Sequence, residues 1–164
     1  MRKYLQWGAA AAGMAVVIGF GAVATMAQGP DKGQIVMTRQ GIMKQQSHDE
    51  GPIYAYINDK GVDQATAVKS AQDLLMMADK LPGLWPPGTS STDMPNKTRA
   101  RPEIWQQLDK FNAIVPVLKA DEQKLLDALQ KGDKGTAKAA FSDMVRNGCS
   151  ACHGSFRGPA LNRS

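Results

Sequence analysis

The chain is poor in cysteine and histidine, with two of each among 164 residues, and it carries no large excess of charge. Two cysteines allow one disulfide at most, and a four-ligand zinc site would need both of them together with His48 and His153. On the 100° helical wheel His48 falls about 120° outside the apolar stripe of its helix, which makes that closure poor. The formal charge of +5, from 20 Lys+Arg against 15 Asp+Glu, is far from the basic signature of a nucleic-acid-binding domain. No stretch alternates apolar and polar residues convincingly in the two-residue period of a half-buried strand, which argues against a sheet.

What is present begins with the N-terminus, where Arg2 and Lys3 precede an uncharged Ala/Gly/Val stretch from Gly8 to about Ala24. With small residues at Ala22, Ala24 and Ala27 offering cleavage sites, this is the pattern of a secretory signal peptide. A membrane anchor is the alternative, because the run approaches the roughly 20 residues of a spanning helix. Its Gly and Ala content is only weakly hydrophobic, so the expected division is a cleaved signal peptide at 1–27 and one periplasmic domain at 28–164. Membrane contact is expected only where the leader stays. Cleavage removes Arg2 and Lys3 and no acid, leaving 18 basic against 15 acidic residues, an excess of +3. The remaining chain is long enough to bury a single core.

Four segments carry helical periodicity. In the first, from about Lys32 to Asn58, Ile35, Val36, Ile42, Met43, Ile53, Tyr54 and Ile57 fall within one third of the wheel. The stripe survives Gly51-Pro52, which predicts one kinked helix. A second segment opens at Asp63, a candidate N-cap, and carries Ala67, Val68, Ala71, Leu74, Leu75, Ala78 and Leu81 before Pro82-Gly83 ends it. The Pro/Gly/Ser/Thr-rich stretch from Pro82 to Arg101 is a long connection. A third helix is predicted from Pro102, with Leu108, Phe111, Val115 and Leu118 on its stripe, a kink at Pro116, and Leu125, Leu126 and Leu129 beyond it. The fourth follows the KGDKG break and aligns Ala137, Phe141, Met144, Val145, Gly148 and Cys152. Short links between most of these helices predict an all-α, antiparallel four-helix bundle.

On a continuing fourth helix, Cys149, Cys152 and His153 project from neighbouring positions of one face. A thioredoxin-like dithiol requires the pair at the head of a helix after a strand, whereas here it ends a helix in an all-α chain. A structural disulfide suits an exported protein but leaves the adjacent histidine without a role. The spacing C-x-x-C-H is the signature of covalent haem attachment, in which each thiol adds to one porphyrin vinyl group and the next histidine reaches the iron.

With that motif near its C-terminus the chain resembles the class II c-type cytochromes, the cytochrome c′ and cytochrome c-556 family. Further resemblances are Arg39, Gln40 and Met43 in the first helix, Pro87, Gly88 and Thr89 in the long loop, Pro102 to Trp105 opening the third helix, and Phe156 and Arg157 after the histidine. The resemblance implies a four-helix bundle holding one haem c per chain, covalent through two thioethers to Cys149 and Cys152, with His153 as proximal iron ligand.

What lies on the second iron face separates electron transfer from gas binding. Of the nine methionines, Met43 shares the core stripe with Ile42, Met37 points about 120° away, and Met76, Met77 and Met144 have spacings that suit packing. The family's distal position also falls on Met43. The expectation is therefore a periplasmic one-electron carrier, not an enzyme, with His153 and Met43 as metal ligands. A five-coordinate cytochrome c′ binding nitric oxide or carbon monoxide is the alternative, and an exported dithiol oxidoreductase is a third reading. Arg39 lies mid-stripe, where a buried cation needs a partner; a haem propionate is expected, against a snorkelling side chain. Arg157, four residues past His153, is placed near the proximal pocket. Trp85 is a candidate cover for a haem edge, and equally a surface or core tryptophan. The expected partners are redox proteins, with homodimerisation left open.

Overall fold

The computed structural model describes residues 31–161. The signal peptide expected at 1–27 lies outside them. The described chain is α-helical: α1 (Lys32–Ile57), α2 (Gln64–Ala78), α3 (Glu103–Gln106), α4 (Leu108–Asn112), α5 (Ile114–Gln130), α6 (Lys134–Asp143) and α7 (Ala151–Phe156). A 3₁₀ turn at Pro82–Leu84 follows α2, and a π-helical stretch at Met144–Ser150 joins α6 to α7. The four long arms are α1, α2, α5 and the run of α6 through α7, each packing on its neighbours as a bundle. No helix among the described residues is long and apolar enough to cross a membrane.

Local chemistry accounts for the arm boundaries. Asp31 caps α1 by accepting from Gly33 N at 2.8 Å, Asp63 caps α2 through Thr66 N at 2.7 Å, and Asp133 caps α6 through Thr136 N at 3.0 Å. Pro52 sits inside α1 without ending it, because Ile53, Tyr56 and Ile57 just beyond it are buried in the core. Tyr54, expected on that stripe, is instead 48% exposed.

The third arm departs from its prediction. It is divided into α3, α4 and α5, with breaks at Gln107, whose backbone leaves the helical region at φ −128°, and at Ala113. Pro116 does not kink it, since it is the third residue of α5, where the missing N–H would have had no intrahelical partner. The break at Gln107 also turns Leu108 outward, to 42% exposure. Met76, expected to pack, is 51% exposed, while Met144 is 1% exposed.

Among the described residues the interior holds two apolar clusters. The main one joins Ile53, Leu74, Leu125, Leu129 and Met144 from the four arms, and the second joins Ile104, Phe111 and Phe156 beneath the long loop. Gly148 lets the π stretch lie directly on α5: a Cβ there would stand 2.5 Å from Leu118 Cδ1 and 3.0 Å from Leu118 Cβ. Leu118 is only 7% exposed and has little room to retreat. Gly148→Ala should therefore cost about 1–3 kcal/mol in urea unfolding. Gly41→Ala, on exposed α1 surface with nothing within 4 Å of the new methyl, should instead gain about 0.5–1 kcal/mol.

Candidate functional site

Cys149 lies in the π stretch, and Cys152 and His153 in α7. The two thiols face different surroundings rather than one continuous stripe: Cys149 packs on the main cluster and Cys152 on the second. The motif therefore spans the seam between the two apolar clusters. Both cysteines are free and partly buried. Burial pushes the Cys149 thiol up to about 12, assisted by the neighbouring Glu50 and Glu122 carboxyls, and the Cys152 thiol up to about 11. Both are protonated at neutral pH. Burial, followed by the charges of Arg157 and Arg99, holds His153 below its ordinary value, so its imidazole is neutral and keeps a lone pair for a metal.

The long loop is bound to the segment behind the histidine. Arg101 N donates to Phe156 O at 3.0 Å, Gly158 N to Arg99 O at 2.7 Å, and Arg99 Nε to Gly158 O at 2.8 Å, around an antiparallel bridge between Ala100 and Arg157. The Arg157 side chain itself is exposed, close enough for its charge to act on Cys152 and His153. His48, 76% exposed at its side chain, pairs with Asp49 rather than turning toward the cysteines.

Arg39 is 4% exposed, so its head does not snorkel to water. Its Nη2 donates to Thr89 O at 2.8 Å, its Nη1 to Thr89 Oγ1 at 3.3 Å, and its guanidinium carbon lies 4.5 Å from the centroid of Trp85. No carboxylate among the described residues forms an ion pair with it, and burial lowers its pKa to about 10. Trp85 packs edge-on against Phe111 at 4.7 Å, and Phe111 against Phe156 at 5.2 Å. The Trp85 Nε1 is buried with no partner among the described residues. Met43 is half-buried and, with Ile42, packs on the main cluster that Cys149 also touches; Met37 is 58% exposed.

These features suit a flat, largely apolar group with an anionic edge. Two protonated thiols and a neutral imidazole stand where two apolar clusters meet, and a buried cation without a counter-anion lies beside a buried N–H without an acceptor.

A family model described as Cytochrome C' matches residues 34–157. The chain belongs to the cytochrome c′ family. It is 31% identical over 123 residues to a cytochrome c-556 of Agrobacterium tumefaciens, covering 74% of this chain and 95% of the relative. A cytochrome c′ of Cereibacter sphaeroides is 30% identical over 138 residues, covering 83% and 91%. Among solved structures, a Rhodobacter cytochrome c′ superposes with a TM-score of 0.70 at 30% identity over 79% of this chain and 99% of that one. The cytochrome c′ of Thermochromatium tepidum gives 0.69 at 25% identity over 78% and 97%. Membership of this cytochrome family implies haem c, with which the paired thiols are consistent.

Glu122 was missed by sequence reading, although it occupies the stripe of Leu118, Leu125 and Leu129. It is 1% exposed, and burial, reinforced by Asp79 and opposed by Lys119, raises its carboxyl to about 8. The folded chain keeps a proton there that the unfolded chain releases near 4.5, so Glu122 makes stability fall as pH rises from 4.5 to 8 and level off above. His153 acts oppositely as pH falls through its ordinary value, so the variant comparison isolates the carboxyl. In thermal unfolding between pH 5 and 8, Glu122→Gln should remove a slope of up to about 1.4 kcal/mol per pH unit relative to the unsubstituted chain. Parallel curves for the two proteins would contradict the assignment.

Proposed function

We propose that the chain is a periplasmic haem c protein that binds a small neutral gas, nitric oxide or carbon monoxide, on the iron face not taken by His153. Cys149 and Cys152 would hold the group through two thioether links. His153, kept neutral by burial, donates its lone pair as proximal ligand. Haem iron supplies the gas affinity and the reversible one-electron chemistry when bound. Arg39 neutralises a propionate, and Arg157 adds positive charge outside the proximal side.

The observation that carries this reading is the apolar character of α1 beside the motif. Arg39 bonds Thr89 and Glu50 accepts from Cys149 at 3.8 Å, while between them Ile42 and Met43 pack on the cluster that Cys149 touches. An apolar face suits a neutral diatomic ligand. The cytochrome c′ names of the family model, the Cereibacter relative and the Rhodobacter structure support the same reading.

A second reading rests on Met43 itself. Periodicity and family resemblance both favour its inward, half-buried thioether as the distal group, and the Agrobacterium relative is a cytochrome c-556. Were its sulfur to ligate, the iron would be closed to gas, its potential would rise, and the protein would be an electron carrier serving redox partner proteins. No enzymatic turnover is assigned on either reading, and a homodimer is a proposed assembly that sedimentation would reveal.

Optical spectra separate the two. Gas binding predicts a high-spin ferrous spectrum that shifts at once under carbon monoxide and is little altered by Met43→Ala. A low-spin ferrous spectrum indifferent to carbon monoxide, converted to high-spin by Met43→Ala, would replace it with the carrier.

A further inference from the structure

We propose that the indole N–H of Trp85 is a second anchor for the propionate that Arg39 neutralises, so that loop and first helix grip one carboxylate together. This rests on the haem reading above. The first observation is the orphaned donor. Trp85 Nε1 is buried without a hydrogen-bond partner among the described residues, a condition that folded proteins seldom leave in place.

The second observation concerns Arg39, independently short of a partner. Its contacts with Thr89 are to neutral oxygens, no carboxylate among the described residues pairs with it, and it lies 4.5 Å from the Trp85 ring centroid. A cation lacking an anion and an N–H lacking an acceptor thus stand side by side, and one carboxylate satisfies both. The third is rigidity. Trp105 Nε1 donates to Trp85 O at 3.1 Å, and the Trp85 ring is wedged edge-on against Phe111, which stacks in the same way on Phe156, three residues past His153. The donor is therefore held by the cluster on which Cys152 packs, with no free rotation of the loop to relieve it. A haem held at Cys152 has its carboxylates as its peripheral anionic groups, whereas an inorganic anion would need to enter from solvent.

Trp85→Phe keeps an aromatic ring against Phe111 and deletes the N–H alone. In the haem-loaded protein this should weaken the propionate's hydrogen bonding, seen as a downshift of its resonance Raman bending mode. It should also raise the propionate's pKa, so that the step in midpoint potential against pH moves to higher pH. A variant with the same bending mode and the same step would overturn the proposal while leaving the haem reading intact. Absence of a c-type haemochrome in the unsubstituted protein would instead remove the haem reading itself. Independently of that variant, ultraviolet resonance Raman of the unsubstituted holoprotein, with Trp105 subtracted through Trp105→Phe, should show a hydrogen-bonded Trp85 indole. A free-indole signature would overturn the proposal, and so would a bonded signature that appears only when inorganic phosphate is added to salt-free protein.

Discussion

The division of the interior into two apolar clusters, with the C-x-x-C-H segment laid across the seam, is the constraint from which the rest of the site follows. Neither cluster places both thiols, because Cys149 packs on the main bundle core and Cys152 on the smaller group under the long loop. The π stretch achieves this division. Its wider turn advances each residue by less than an α-helix does, so that Cys149 and Cys152 part company although only three positions separate them. Gly148 then brings that stretch against Leu118 without a side chain between them. Once the motif is fixed on α5, the loop has a foundation. Its backbone pairs with the residues behind His153, and its Thr89 is drawn to Arg39 on α1 across 50 positions of sequence.

How much of this the sequence discloses depends on whether the cause is local. Arms α1 and α2 are legible because their caps and periodicity lie within a few residues, Asp63 with Thr66 being the clearest case. The C-x-x-C-H motif is legible for the same reason, since its five residues are contiguous in the sequence. Arg39 and Met43 follow from one wheel, and so should Glu122, whose charge was passed over on an otherwise apolar stripe. The breaks at Gln107 and Ala113 are different, because neither carries proline or glycine and only the docking of α3 and α4 on Phe156 and Trp85 explains the turn. Nothing in residues 144–150 announces a π stretch. Trp85 remained ambiguous between surface, core and cofactor cover because its partners, Arg39 and Phe111, are distant in sequence and are chosen by the fold.

Around the motif, burial drives almost every titratable group toward its uncharged form: both thiols and Glu122 upward, Glu50 upward, His153 downward. Such a region has low effective dielectric, where a single charge is felt several-fold more strongly than in water. Arg39, although burial lowers its pKa to about 10, stays charged at neutral pH, and it is one of the side chains that tie α1 to the loop. A fixed positive charge in such surroundings opposes any further positive charge placed near it and favours a negative one. It therefore suits the anionic edge of a bound group. The same residue that closes the loop onto the bundle thus also fixes a positive charge beside Trp85, and structure and electrostatics cannot be varied independently there.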